Sequence, residues 1–325
     1  MVDEYPLVSV IIPNYNGRRF LKTCLSAMRG QTYPADKLEV ILVDDASTDD
    51  SVDYVYHYFP EVQVLQLPHN SGLAVACNQG AKMARGDIIV LLNNDTEAES
   101  YWVEALVKAL DEHSWAGAAA SKMLLFDRRT VLHSAGDMVG IDGLPRNRGV
   151  WEEDHGQYDA DRVVFGGCGG AVAYRRQVWE EVGGFDEALF MYLEDVDLAW
   201  RMQLRGWGTV FAPAARVYHH LSATGGGTLA SFYTGRNTIW VIAKNMPSPL
   251  LRRYWRQVIG AQVRIARAAI SSWRGEAARA RLRGQIMGLL GLPRILRRRR
   301  QIQRHRRISL EELDALLRRG SELRP

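Results

Sequence analysis

The sequence predicts an α/β protein, a Rossmann-like and mostly parallel sheet with helices on both faces, followed by a helical, basic C-terminal extension. Three observations lead there. Short apolar runs alternate with helical patterns through residues 7–92, three of those runs end in polar clusters, and arginines crowd residues 250–325.

Leu7–Ile12 is an apolar run that Pro13 stops, a buried strand. Arg18–Arg29 sets Phe20, Leu21, Cys24, Leu25 and Met28 at helical spacing before Gly30 closes it. Leu38–Val43 is a second strand ending in Asp44–Asp45, Asp49–Phe59 a helix, and Val62–Leu67 a third strand. Leu73–Arg85 is an Ala-rich helix and Asp87–Leu92 a fourth strand that stops at Asn93-Asn94-Asp95. Beyond it, Tyr101–Asp111 is a helix, Ala116–Phe126 a strand, and Asp127–Tyr158 a polar, Gly-rich excursion. Val163–Tyr174 is apolar and studded with glycine, and Arg176–Val182 and Tyr192–Leu204 are helices. Thr209–Phe211 and Ala215–His219 are short strands, and past Gly227 the chain is helical, interrupted at Pro247–Pro249 and Gly291–Pro293.

With 325 residues, 47% of them hydrophobic and 24% charged, the chain can bury a sizeable core as a soluble globular protein. Met1–Pro6 carries two acids and no secretory pattern, and no window reaches the ~20 apolar residues of a membrane span. Cys24, Cys77 and Cys168 are far apart and lack metal spacing, as expected of a reducing, cytoplasmic setting. The net charge of +4 conceals a division. Residues 250–325 hold 20 arginines, no lysine and five acids, whereas residues 1–249 hold 21 basic and 32 acidic groups. The chain therefore reads as a mildly acidic body, 1–249, and a basic region, 250–325, whose charge calls for an anionic partner.

In a doubly wound sheet, ligands sit outside the carboxyl ends of the strands. The clusters Pro13-Asn14-Tyr15-Asn16, Asp44-Asp45-Ala46-Ser47 and Asn93-Asn94-Asp95 all fall at that edge. Asp44–Asp45 suits either a helix cap or recognition of a base or ribose. Asn93-Asn94-Asp95 suits either a turn or a site for Mg²⁺ or Mn²⁺, which with one carboxylate needs a diphosphate to complete its shell. Glu194, Asp195 and Asp197 open a helical stretch, either as a solvated acidic first turn or with one of them a general base. His219 and His220 end a strand, where side chains alternate, so only one of them faces the ligand edge. Cys168, between pairs of glycines and without a histidine partner, does not read as a nucleophile.

The stretches VSVIIPNYNG (8–17), VILVDDASTDDS (40–51), NSGLAVACNQGAKMARGDIIVLLNNDTE (70–97) and VGGFDEALFMYLEDVDLAWRMQLRGW (182–207) together resemble family 2 glycosyltransferases of the GT-A fold, with bacterial rhamnosyltransferase-type enzymes as the nearest branch. The resemblance covers about residues 7–245. It implies inverting transfer of a sugar, with rhamnose a candidate, from a nucleotide-diphosphate donor to a hydroxyl of a glycan or lipid-linked acceptor in cell-surface polysaccharide synthesis. By position it implies that Pro13, Tyr15 and Asp45 hold the base, with Asp44 and Asn94 assisting. It further implies that Asp95 and His219 hold the divalent cation (Mg²⁺ or Mn²⁺), and that Asp195, beside Glu194, is the catalytic base. The motif at 93–95 departs from the family's two-acid form, and the Gln-x-x-Arg-Trp signature of processive members is absent, QLRGW (203–207) standing there instead. A non-catalytic nucleotide-sugar-binding or scaffold protein of the same fold is the other class compatible with the sequence.

In the basic region Trp255, Val258, Ile259, Val263 and Ile270 interleave with Arg252, Arg253, Arg256, Arg264 and Arg267, and QIMGLLGLPRILRRRR follows. Arginine-rich amphipathic helices of this kind favour an anionic membrane surface, and no aromatic stacking platform for nucleic acid is present. The expectation is a peripheral protein at the inner face of the cell membrane. A helical hairpin packed on the body is the alternative for the first helices.

Overall fold

A computed structural model describes residues 5–220 and 227–323, so the N-terminal residues weighed above lie in part outside it. The first half alternates as β1 Val8–Asn14, α1 Arg18–Arg29, β2 Leu38–Asp44, α2 Ser51–Tyr58, β3 Gln63–Gln66, α3 Leu73–Met83 and β4 Ile88–Leu92. There follow β5 Thr96–Ala98, α4 Trp102–Glu112, β6 Ala116–Leu125, β7 Leu132–Ser134, β8 Asp137–Val139, β9 Pro145–Asn147, β10 Val163–Val164 and β11 Ala171–Arg175. The remainder is α5 Arg176–Val182, α6 Glu194–Arg205, β12 Gly208–His219, α7 Gly227–Asn245, α8 Ser248–Ser271, α9 Glu276–Leu290, α10 Leu292–Arg304 and α11 Leu310–Glu322.

The main sheet has the order β10-β12-β6-β11-β4-β1-β2-β3, with β5 added on β12 and β7 on β6. Strands β1 to β4 pair in parallel, as their βα alternation requires, and β12 lies parallel to β6. β11 enters antiparallel between β4 and β6 and joins the parallel set β1–β4 to the parallel pair β6–β12, to which β5, β7 and β10 add antiparallel. Both faces are covered, which is why β4 is apolar throughout and β1 is buried along its whole length rather than alternating. Val10, Ile12, Leu42 and Val90 meet α1 and α4 through Leu21, Cys24, Trp102 and Leu106. Ile11, Ile41, Val43 and Ile89 meet α3 and α5 through Cys77, Ala81 and Trp179.

Four expectations change. Pro13 does not end β1, because pairing with β4 stops at Ile11↔Leu91 and Pro13 lies where the strand has a partner on one side only. The excursion 127–158 carries β7, β8 and β9, strands too short to show a period in sequence. The two short strands after Gly208 are one strand bent by a register shift between Ala212 and Arg216. The C-terminal helices also break at 272–275 and 305–309, the latter marked by a capping box in which Ser309 and Glu312 satisfy each other's backbone N–H groups.

Residues 250–323 pack on the body. Leu250, Tyr254, Ile295, Leu313 and Leu317 share one apolar cluster with Leu124, Trp200, Phe211 and Trp240. Body acids also answer part of the basic charge: Arg298 meets Asp186, Arg319 meets Asp161, and Arg307 Nη1 lies 3.0 Å from Glu181 Oε1. That part of the charge division is therefore internal complementarity rather than a demand for an outside anion.

Candidate active site

Parallel register sets Asn14 opposite Asp44 at the ends of β1 and β2, and β4 ends beside them. Asn14 Nδ2 donates to Asp44 Oδ1 (3.0 Å), and Asn94 Nδ2 donates to Asn14 Oδ1 (2.7 Å). The three sequence clusters are thus stitched into one surface by side-chain amides. Asp44 also accepts from Ser47 Oγ and Ser47 N, so it shapes the turn. Asp45 Oδ1 and Oδ2 accept from Ser71 N (2.7 Å) and Gly72 N (2.8 Å), which fixes the loop that opens α3. Pro13 is buried in β1, whereas the Tyr15 ring is 47% exposed at the mouth and free to stack on a planar ligand.

Gly17 matters to this surface through its lack of a side chain. A Cβ there would lie 2.0 Å from Asn94 Nδ2 and 2.5 Å from Asn14 Oδ1. Gly17→Ala should therefore part the two amides and cost about 1–3 kcal/mol by overpacking, read as a lower urea midpoint.

Asp95 is buried at the end of β4, and His219 reaches it from the end of β12, with Nε2 3.2 Å from Asp95 Oδ1. Behind them His219 Nδ1 lies 3.1 Å from Nδ1 of His133 on β7. Only one proton fits between those two nitrogens. Burial, and then the neighbouring His219, push His133 down to about 3 against a smaller pull from Asp95, so His133 is neutral. A carboxylate oxygen and an imidazole nitrogen converging at this separation suit a divalent cation of the Mn²⁺ or Mg²⁺ kind, the nitrogen favouring Mn²⁺. His220 turns the other way and stacks on Phe126, ring centroids 3.6 Å apart.

Asp195 lies in the first turn of α6. Its Oδ2 accepts from Gly169 N (2.8 Å) and its Oδ1 from Val196 N (2.7 Å), so both oxygens are oriented. A Cβ on Gly169 would press on that carboxylate at 3.1 Å, a close approach that glycine permits. The next residue, Gly170, accepts from Asn93 N at 2.9 Å, so one dipeptide joins Asp195 to the turn that carries Asp95. Asp137, Cys168 and Asp195 place their ligand atoms within 4.8 Å of one another. Burial and then the charge of Asp195 push Asp137 up to about 8, and burial raises Asp195 itself. At neutral pH Asp137 therefore keeps its proton. The Cys168 thiol is raised well above its ordinary range by burial and by these two acids, which leaves no thiolate nucleophile. Glu194 is buried and raised well above the carboxylate range by burial and Asp195, and its Oε2 has no hydrogen-bond partner among the described residues.

The approach to α6 is strained. Phe190, Tyr192 and Leu193 all have φ between 64° and 67°, and Phe190, with ψ −64°, is in a γ-turn that non-glycine residues rarely adopt. Helix α7 holds it: Asn237 Nδ2 lies 3.0, 3.0 and 2.7 Å from the carbonyls of Leu189, Met191 and Tyr192, and Arg236 Nη2 donates to the carbonyls of Ala188 and Leu189.

Residues 9–183 match the family model described as "Glycosyl transferase family 2", more than half the chain. The chain belongs to glycosyl transferase family 2. A second model, "Glycosyl transferase family group 2", matches residues 148–290 and so reaches into the basic region. Two relatives frame the family 2 assignment. The O-antigen biosynthesis protein RfbC of Myxococcus xanthus is 31% identical over 229 residues, 67% of this chain but only 18% of that protein. The N-acetylglucosaminyl-diphospho-decaprenol L-rhamnosyltransferase of Mycobacterium tuberculosis is 30% identical over 255 residues, 71% of this chain and 80% of the relative. Among solved structures, the mannosyltransferase PcManGT of Pyrobaculum calidifontis, in complex with GDP-Man and Mn²⁺, superposes with a TM-score of 0.56 at 20% identity, covering 92% of this chain and 86% of its own. The fold is therefore the GT-A fold of family 2 glycosyltransferases.

Within that family 2 frame the structure brings Asp45, Asn94, Asp95, His219, Glu194 and Asp195 to one edge of the sheet. Sequence reading missed His133, Asp137 and Asn237. Asn237 lay in a stretch read only as helical, and the other two in an excursion without a period.

Proposed function

We propose that the protein is an inverting glycosyltransferase. It moves a sugar, rhamnose being the candidate, from a nucleoside-diphosphate donor to a hydroxyl of a glycan or lipid-linked acceptor in cell-surface polysaccharide synthesis. The observation that carries this reading is the placement of Asp195: a carboxylate oriented through both oxygens, one dipeptide from the turn of Asp95. In-line displacement with inversion needs one base on the acceptor side and no covalent nucleophile. Asp195 takes the proton of the acceptor hydroxyl as its oxygen bonds to the anomeric carbon and the nucleoside diphosphate leaves. Asp137, holding its own proton beside it, leaves Asp195 as the ionised member of the pair. Asp45, Asp44, Pro13, Tyr15 and Asn94 form the donor-binding surface, with Tyr15 at its open edge. Asp95 and His219 would hold the cation, which when bound neutralises charge on the diphosphate. The name of the mycobacterial rhamnosyltransferase supports the sugar and the class of acceptor. The basic region, with no helix among the described residues long and apolar enough to cross a membrane, supports work at the inner membrane surface.

Metal removal tests the reading. Dialysis against EDTA should reduce transfer by about 10²-fold or more, and Mn²⁺ or Mg²⁺ should restore it. Full activity of the metal-free protein would take Asp95 and His219 out of the proposed role. A thermal-shift screen of nucleotide-sugars with metal identifies the donor as the one that stabilises most.

A further inference from the structure

Helix α8 carries two apolar stripes. Leu250, Tyr254 and Val258, at i, i+4 and i+8, are buried against the body, and Ala261, at i+11, is buried as well. Trp255, Ile259, Val263 and Ile270, at i, i+4, i+8 and i+15, form the second, and they are 50%, 54%, 41% and 60% exposed. Across from it α9 exposes Ile286, Leu289 and Leu290, and Trp273 is exposed in the link between the helices. Between the two helices runs an open groove of about 760 Å³, with Ile239 and Ile242 of α7 among its lining residues and Val263, Ala266, Leu282 and Ile286 among those from α8 and α9. An apolar patch of this extent on a protein surface marks a partner.

The charges around it say which. Residues 248–291 contain nine arginines and a single acid, Glu276. Arg253 is taken by Asp314, and Arg264 lies 3.9 Å from Asp142. No carboxylate pairs with Arg252, Arg256, Arg267, Arg274 or Arg283 among the described residues. On α10 Arg298 is held by Asp186 and Arg299 donates to Ala243 O and Ser248 Oγ, while Arg294, Arg297 and Arg300 are exposed. A second copy of this chain would bring the same cationic rim against itself, which like-charge repulsion opposes. An anionic lipid bilayer offers both complements, hydrocarbon for the groove and phosphates for the rim, and tryptophan beside arginine is the composition of helices lying in that interface.

We propose that the α8–α9 face is the membrane-docking surface of this protein. The groove and its exposed stripes sit below the headgroups of an anionic bilayer, and Arg252, Arg256, Arg267, Arg274 and Arg283 engage lipid phosphates. The proposal sharpens the reading of an acceptor at the membrane by naming the surface that meets the lipid. Its test reads binding alone, so it stands or falls apart from donor, metal and base.

The full chain is sedimented with vesicles of phosphatidylcholine alone and of phosphatidylcholine with phosphatidylglycerol in equal parts. Binding to the second and not the first is expected. The triple variant Arg256→Gln, Arg267→Gln, Arg274→Gln should lose about a hundredfold in partition, and Ile259→Ser, Ile286→Ser, Leu289→Ser, all at exposed positions, a similar amount. Arg294→Gln, Arg297→Gln, Arg300→Gln, the same loss of charge on exposed positions of α10, should bind nearly as wild type. Equal losses from the α8–α9 and α10 charge variants would reduce the effect to net charge and overturn the assignment. So would undiminished binding by the apolar variant. Velocity sedimentation without lipid should give a monomer; a dimer dissolved by the apolar variant would assign the face to a second copy instead.

Discussion

Asp195→Asn should lower the rate of transfer by about 10²–10⁴-fold while leaving binding of a nucleoside diphosphate with Mn²⁺ unchanged, measured by turnover and by thermal shift on one preparation. The amide oxygen can still accept from Gly169 N, so the turn keeps its shape, but the side chain no longer takes a proton from a hydroxyl. The split between catalysis and donor binding is the informative part, because a merely structural role would move both. The pH profile supplies a second readout. Burial raises Asp195 above the ordinary aspartate value of 3.8, and only the ionised form is a base. Activity should therefore fall on the acid side through a value above 3.8. Unchanged turnover in Asp195→Asn would remove it from the base role.

Lys244→Met should destabilise the protein by about 3–5 kcal/mol, seen as a lower urea midpoint at unchanged m. Lys244 is 1% exposed on α7, with Nζ bonded to Asp186 and 2.7 Å from Asp197 Oδ1. Asp197 also accepts from Arg201 Nε (2.8 Å) and Asn245 Nδ2 (2.7 Å). Burial alone would raise both carboxyls, yet Lys244 with Arg298 holds Asp186, and Lys244 with Arg201 holds Asp197, below the ordinary range. Without the ammonium group two charged carboxylates share an apolar surround with less compensation. The double variant Lys244→Met, Asp197→Asn should recover part of the loss, because it removes one of the stranded charges. Since Asp197 lies in the same helical turn as Asp195, the network also ties the proposed base to α7. A loss below about 1 kcal/mol would place Lys244 among weak surface-type ion pairs and remove that tie.

How far the sequence reached depends on the range of the signal. The α/β alternation from β1 to β4, the polar strand ends and the acidic start of α6 are local patterns, legible because spacing of 2 or 3.6 residues reports burial directly. The four motifs that resemble the family are local as well, and the family assignment and the GT-A fold agree with them. His133 and Asp137 were illegible for the opposite reason. Strands of three residues have no period, and their chemistry arises only when β7 pairs with β6 and brings His133 to His219, and when Asp137 of β8 bridges to Gly166 and comes to lie by Asp195. The break before α11 was legible and passed over, since Ser309 and Glu312 have capping-box spacing.

By itself the sequence determined that a parallel sheet would present Asp45, Asn94 and Asp95 at one edge, and that residues 250–325 would be helical and basic. Only the tertiary structure decided which charges were already taken. Arg298 and Arg319 are spent on Asp186 and Asp161, more than a hundred residues away, whereas Arg256 and Arg267 beside the α8–α9 groove meet no carboxylate among the described residues. It also decided which of α8's two apolar stripes is core. Both have helical spacing, and only the packing of Tyr254 and Val258 against the body distinguishes them from Trp255 and Ile259, because burial is a property of what lies opposite a helix, not of the helix.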